Sequence, residues 1–249
     1  MDGRLTRDGY ALHFEVRGAG PRLIWVDPAL ASRAMRPMEA ALEVLTERFE
    51  VVTYDRRGRG LNEDADEPSA RADVDDLVAL VAHLGGADVV AGFSSGGALV
   101  LHAAPRLSAG AIALVEPAVS DTPDGSGLRE SIQRHLAADD PESAVREFYE
   151  ATGTPEEIVQ GLADSPAWAE VVRCAPTLLA DIDLAVVNDD VLDAIRLPVH
   201  VIVSDGSPPE ITGMGEALAG RAHACLWREP GGWHGVDPRP LSARLASFV

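Results

Sequence analysis

A serine within a Gly-x-Ser-x-Gly sequence is the residue of this chain that most directly predicts chemistry. Ser94 stands between Gly92 and Gly96, after the apolar run at residues 89–91 and before an Ala/Leu/Val helical pattern. This order predicts a strand, a sharp turn and a helix, with the serine hydroxyl at the apex. The helix start and the Ser95 N–H then lie where a developing oxyanion needs donors. We therefore expect a nucleophilic serine rather than a Gly/Ser-rich turn.

A histidine near the C-terminus is the predicted base. His234 follows Gly231, Gly232 and Trp233, and a glycine-rich backbone can aim an imidazole at Ser94. The other histidines fall within or at the ends of predicted helices and strands: His13, His83, His102, His135, His200 and His223.

The segments around these residues predict an α/β fold. The predicted strands are a hairpin over residues 4–16 and apolar runs at residues 23–26, 51–54, 88–91, 111–115, 198–203 and 224–227. Asp8 and Gly9 form the predicted hairpin turn, and Pro37 is predicted near the start of the first helix. Strands that alternate with helical patterns predict a mostly parallel sheet with helices on both faces.

Residues 120–196 show only helix-like stretches, which predicts a helical cap inserted after the sixth strand. We therefore expect a core of residues 1–119 and 197–249, with residues 120–196 as a cap or lid.

Together these features resemble the α/β-hydrolase family over nearly the whole chain. The resemblance rests on the turn at Ser94, the Tyr-Asp-Arg-Arg-Gly-Arg-Gly segment at residues 54–60, the loop around Asp205, and Gly232-Trp233-His234. Nucleophile, acid and histidine follow one another in the order that the family uses. The resemblance implies a Ser/His/carboxylate triad beneath a helical cap, with no cofactor and no metal.

The acid of the triad is open between two carboxylates. In the family the loop after the seventh strand usually reads Gly-x-x-Asp, a register that puts Ser204 at the glycine and Ser207 at the acid. Asp205 lies in this loop but two positions early. Glu116 follows the sixth strand, where some family members carry the acid. Either carboxylate could hold the His234 N–H. We prefer Glu116, and a dyad without a well-placed acid is the third alternative.

The loop after the third strand departs from the family's usual His-Gly-x and reads Asp27-Pro28-Ala29. Pro28 has no N–H, but the second oxyanion donor in this register is Ala29. The Asp27 carboxylate would oppose oxyanion formation unless it turns away or is protonated. We interpret residues 55–58 as a structural, ion-paired turn.

The cap and the core are expected to form the substrate pocket together, because loops and caps carry specificity on a rigid scaffold. The predicted lining residues are Phe148, Tyr149, Trp168 and Leu179 from the cap, with Asp27, Phe93 and Trp233 from the core.

The composition narrows the possible partners. The chain carries 40 acidic residues and 21 arginines without any lysine, which gives a net charge of −19 and argues against nucleic acid or anionic membranes. Cys174 and Cys225 are too few for a disulfide framework or a metal cluster. We expect a cytoplasmic protein whose partner is a small-molecule substrate.

The leading functional hypothesis is a serine hydrolase that acts on esters, thioesters or lactones. The displaced acid and Asp27 motivate an alternative, in which the fold carries non-hydrolytic biosynthetic chemistry such as cyclisation, coupling or elimination. A non-enzymatic small-molecule receptor or signalling protein is a third hypothesis, because fold alone does not decide function.

Overall fold

A mostly parallel eight-stranded sheet forms the centre of the protein. The computed structural model describes residues 1–7, 9–35, 38–62, 68–122 and 127–249, so the predicted positions of Asp8 and Pro37 lie outside it. The strands of the sheet are β1 (Asp2–Arg7), β2 (Tyr10–Gly18), β3 (Arg22–Val26), β4 (Glu50–Tyr54), β5 (Ala87–Phe93), β6 (Ala109–Val115), β7 (Val199–Ser204) and β8 (Cys225–Glu229). Their spatial order is β1-β2-β4-β3-β5-β6-β7-β8. The strands from β3 to β8 are parallel, and β1 and β2 pair antiparallel.

Helices cover both faces of this sheet. The α-helices of the described residues are α1 (Glu39–Leu45), α2 (Ala70–His83), α3 (Ser95–Ala103), α4 (Leu128–Ala137), α5 (Pro141–Ala151), α6 (Glu156–Ala163), α7 (Trp168–Arg173), α8 (Leu178–Leu184), α9 (Asp189–Asp193), α10 (Pro209–Arg221) and α11 (Pro238–Ala246). Consecutive residues of β5 point to opposite faces: Val90 belongs to one apolar cluster together with Leu99 of α3, and Val89 belongs to a second together with Leu241 of α11. Because both faces are buried, the central strands are continuous apolar runs.

The chain between β6 and β7 contains helices α4 to α9, the helical insertion expected after the sixth strand. Apart from one isolated bridge between Ser120 and Val186, the described part of this stretch forms no strand. The inserted helices share an apolar cluster that includes Ile132, Val145 and Leu178 and also takes in Leu30 from the loop after β3. The insertion therefore packs directly against the carboxyl end of the sheet.

A buried cluster of ion pairs joins the insertion to the sheet. Asp181 on α8 accepts from Arg56 Nη1 at 2.8 Å and from Arg59 Nη2 at 2.6 Å, both from the loop after β4. Arg56 also pairs with Asp73 on α2 at 2.6 Å. Burial opposes ionisation of Asp181, but the two guanidinium charges outweigh it and lower the pKa of this carboxyl. The geometry agrees with the interpretation of the Arg-rich loop as a structural turn.

Removing this carboxylate charge is expected to destabilise the whole fold. Asp181→Asn leaves two buried guanidinium groups under-compensated, and breaking a buried pair typically costs about 3–5 kcal/mol. Asp183→Asn on the same helix removes an exposed pair with Arg129 and should cost less than about 1 kcal/mol. Urea unfolding of both variants measures the difference; equal losses would contradict the anchoring role of Asp181.

Candidate active site

The predicted nucleophile occupies a strained turn between β5 and α3. Ser94 has φ +53° and ψ −121°, a conformation that costs energy for a residue with a side chain. A Cβ on Gly92 would lie 2.3 Å from the Gly96 carbonyl oxygen, and one on Gly96 would lie 2.3 Å from that of Val26. Strand, helix and neighbouring strand therefore pass too closely for any side chain. The chain has the strand–turn–helix geometry predicted at Ser94.

Glu116 is placed next to His234. It follows β6 directly, and its side chain is 0% exposed. Its Oε2 lies 3.2 Å from Nδ1 of His234 and accepts a hydrogen bond from the Ser207 hydroxyl at 2.8 Å. Its Oε1 accepts from the Ser204 N–H at 2.8 Å. The carboxylate is thus held at both oxygens and faces the imidazole.

Glu116 and His234 are within ion-pair distance of each other, but they do not form an aligned hydrogen bond. Nδ1 is buried and has no hydrogen-bond partner of good geometry among the described residues. Catalytic hydrogen bonds are often poorly aligned before substrate binds, so this geometry is compatible with a working pair.

Among the described residues, Asp205 forms no ion pair with the imidazole, whose carboxylate partner is Glu116. Asp205 is exposed, its backbone N–H donates to the Glu229 carbonyl at 2.9 Å, and its side chain contacts no charged group in the described chain. Because β6 and β7 are neighbours in the sheet, the residue that follows β6 can reach the His234 loop. The structure therefore brings Glu116, and not Asp205, to His234.

His234 sits in a tight turn that the sequence indicated only as a glycine-rich loop. Two short strands, β9 (Gly231–Gly232) and β10 (Gly235–Val236), pair antiparallel and leave Trp233 and His234 between them. His234 has φ +45°. Its ring lies 4.9 Å from the ring of Phe93, the residue before Ser94, and 5.5 Å from that of Trp233. Phe93 thus places the predicted base beside the turn that carries Ser94.

The two predicted oxyanion donors are backbone N–H groups next to the turn at Ser94. The N–H groups of Ser95 and Ala29 donate to no other group among the described residues. The loop that carries Ala29 is fixed by Arg59, whose Nη1 donates to the Pro28 carbonyl at 2.7 Å. Since β3 ends against the first turn of α3, the two donors come from adjoining segments.

Asp27 lies at the end of β3 and is almost completely buried. Its Oδ1 accepts from Trp25 Nε1 at 3.0 Å. Burial raises the pKa of the Asp27 carboxyl to about 6, although the Trp25 hydrogen bond and the Arg59 charge act in the opposite direction. The Asp27 carboxyl group is therefore hydrogen-bonded to the Trp25 indole, and near pH 6 a fraction of the molecules carries it in the protonated form.

The predicted lining residues of the insertion lie together. Phe148, Tyr149, Trp168 and Leu179 are partly buried and pack against the cluster that contains Leu30. Ala29 packs against the same cluster, so this apolar surface reaches the loop after β3. That these side chains contact substrate stays a prediction.

Two residues near the site were missed from the sequence. Ser207 forms hydrogen bonds with both Glu116 and the His234 backbone. Its place in the sequence, where the family usually carries the acid, could have marked it as a site residue. Asp181 accepts from the Ser95 hydroxyl at 2.9 Å, and no sequence pattern marked it.

In the described ranges no three His, Cys, Asp or Glu residues are grouped to hold a metal ion. No helix of these ranges is long and apolar enough to cross a membrane.

Sequence and fold together identify the family to which the chain belongs. The chain belongs to the alpha/beta hydrolase family, whose sequence model matches residues 13–244. It is similar to the structure of an alpha/beta hydrolase from Sphaerobacter thermophilus, with 29% identity, 99% of each chain covered and a TM-score of 0.85. It also shares its fold with an enol-lactonase from Burkholderia xenovorans (17% identity, 99% of each chain, TM-score 0.75). An esterase from Rhodococcus is similar at 20% identity, 100% and 97% coverage and a TM-score of 0.66.

The buried Asp27 predicts a pH-dependent stability. Because its pKa in the folded protein is about 6, above the ordinary value of 3.8, the folded state binds this proton more tightly than the unfolded state. The stability that the proton contributes is complete at low pH and is lost as the pH rises from about 4 to 6.

Asp27→Asn keeps an acceptor for Trp25 and removes the ionisable group. It should raise the free energy of unfolding by about 3 kcal/mol at pH 7.5 and by about half as much at pH 5. Urea unfolding at the two pH values measures the difference, with the exposed Asp205→Asn as a control that should change neither. A variant less stable than wild type at pH 7.5 would contradict the prediction.

Proposed function

We propose that this protein is a serine hydrolase that cleaves small-molecule esters, thioesters or lactones through an acyl-enzyme. The observation that carries the proposal is the buried Glu116 carboxylate, 3.2 Å from Nδ1 of a histidine whose ring packs on the residue before Ser94. The esterase and the enol-lactonase of the same fold support this substrate class at the level of analogy.

In the proposed mechanism, Ser94 Oγ attacks the carbonyl carbon and its proton passes to Nε2 of His234. The Glu116 carboxylate stabilises the imidazolium that forms. The N–H groups of Ser95 and Ala29 hold the negative charge on the carbonyl oxygen. Collapse of the tetrahedral intermediate expels the alcohol or thiol, which takes the proton back from His234. Water then attacks the acyl-serine with His234 again as base, and releases the acid.

The proposed acid also bears on the non-hydrolytic alternative. One reason for that hypothesis is that Asp205, in the loop after β7, stands two positions before the usual acid. Because Glu116 approaches His234 from the end of β6, a carboxylate is available and the displaced position does not argue against hydrolysis. A serine at the turn likewise disfavours the carboxylate-nucleophile chemistry of epoxide hydrolases and dehalogenases.

We propose that the inserted helices serve as a lid and supply an apolar wall to the substrate pocket. The partly buried side chains of Phe148, Tyr149, Trp168 and Leu179 belong to the same cluster as Ala29. An apolar surface next to an oxyanion donor favours substrates whose acyl or alcohol part is apolar.

The proposal is tested by labelling with a fluorophosphonate, followed by intact-mass measurement. Wild-type protein should take up one adduct, whereas Ser94→Ala and His234→Ala should take up none on the same time scale. His83→Ala, an exposed histidine at the end of α2, is the matched control and should label like wild type. Folded wild-type protein without an adduct would contradict the serine mechanism.

Activity measurements on two variants distinguish Glu116 from Asp205 as the acid. Glu116→Gln should lower kcat for p-nitrophenyl butyrate by about 10³- to 10⁴-fold, because a neutral amide cannot stabilise the imidazolium. Asp205→Asn should stay within about twofold of wild type, since its side chain is exposed. The reverse order of effects would assign the acid to Asp205.

A further inference from the structure

We infer that Ser207 is a positioning residue whose single hydroxyl group holds the acid and the base of the proposed triad in register. The inference rests on the proposed function, in which Glu116 is the acid and His234 the base. Ser207 itself does not contact the reacting atoms.

The hydroxyl of Ser207 makes two short hydrogen bonds in opposite senses. It donates to Glu116 Oε2 at 2.8 Å and accepts from the backbone N–H of His234 at 2.9 Å. The Gly232 carbonyl is a competing acceptor at 3.3 Å. Because a hydroxyl has one proton and hydrogen bonds to a charged acceptor are the stronger ones, the carboxylate takes it.

The oxygen that Ser207 holds is the one that faces the imidazole. Glu116 Oε2 lies 3.2 Å from Nδ1 of His234, and Oε1 is fixed separately by the Ser204 N–H. With both oxygens bonded, the carboxylate cannot turn Oε2 away from the ring without losing a charge-assisted hydrogen bond. The serine hydroxyl therefore sets the direction of the acid.

The other bond of Ser207 restrains the backbone of the base. His234 has φ +45°, in the left-handed region that a residue with a side chain adopts at a cost. Such a conformation persists only where its surroundings hold it. The N–H bond to Ser207 Oγ is one such restraint, and the Ser204 hydroxyl adds another by donating to the Gly232 carbonyl at 3.0 Å.

Position 207 also lies next to both partners of the proposed pair. One atom, Oγ, is bonded both to the His234 backbone and to the oxygen nearest Nδ1. A carboxylate carried by residue 207 would therefore occupy the space next to the ring. In this chain the residue at position 207 is a hydroxyl donor, and the carboxylate comes from Glu116 after the neighbouring strand β6.

The first experiment compares Ser207→Ala with Ser207→Thr, which retains a hydroxyl. With p-nitrophenyl butyrate, and with active sites counted by fluorophosphonate titration, Ser207→Ala should lower kcat about tenfold and change KM less than twofold. Ser207→Thr should recover at least a third of the wild-type kcat. Counting active sites removes any unfolded fraction, so a simple loss of stability does not produce this result.

Glu210→Ala is the matched control, because Glu210 lies three residues after Ser207 with an exposed side chain. It should leave kcat and KM within twofold of wild type. The inference is overturned if Ser207→Ala retains the wild-type kcat, or if it raises KM with kcat unchanged.

The second experiment moves the charge. In the Glu116→Gln background, adding Ser207→Asp should restore kcat at least tenfold above that of Glu116→Gln alone. Ser207→Asn in the same background is the neutral control and should restore nothing. Absence of recovery with aspartate would show that a side chain at position 207 does not reach the imidazole, and would overturn this part of the inference.

The two proposals fail in different ways. If wild-type protein takes up no fluorophosphonate and hydrolyses no ester, the serine hydrolase proposal fails. If wild-type protein is labelled and active while Ser207→Ala matches it per active site, only the role of Ser207 fails.

Discussion

The close passage of three backbone segments at the turn after β5 is the constraint on which the site depends. Strand β5, helix α3 and the end of β3 approach so closely that Gly92 and Gly96 leave no room for a Cβ. This contact holds Ser94 at φ +53°, because relaxing the turn would separate strand and helix. It also brings the loop with Ala29 beside Ser95. The strained conformation of Ser94 and the N–H groups on either side of it are thus consequences of one packing arrangement.

The position of Glu116 beside His234 follows from the order of the strands. Because β6 and β7 are adjacent and parallel, their carboxyl ends meet beside the turn that holds His234. A carboxylate at either end can therefore reach the same imidazole. In this chain Glu116 approaches from β6, and Ser207, after β7, bonds to it. The ends of β6 and β7 therefore each contribute one side chain to the same hydrogen-bonded pair, and only Glu116 is charged.

The sequence predicted those parts of the protein that depend on local pattern. Buried parallel strands appear as apolar runs, and the turn at Ser94 combines glycine spacing with a strand and a helix. The direction of Glu116 could not be predicted, since it depends on contacts with Ser204 and Ser207 about 90 residues away. The same holds for Asp181, which meets Arg56 across more than 120 residues. Short helices such as α9, and the two-residue strands around His234, carry too little periodicity to be detected.

The hydrogen bond between Asp181 and Ser95 limits how this protein could be recombined with its relatives. Asp181 belongs to the insertion, yet it accepts a hydrogen bond from Ser95, the first residue of α3, and forms ion pairs with Arg56 and Arg59. A chimera that received a foreign insertion without a carboxylate at this place would retain two buried arginines without this partner and lose a contact of α3. The insertion is therefore not an interchangeable module: it and the core beneath it must be inherited, or engineered, as a matched pair.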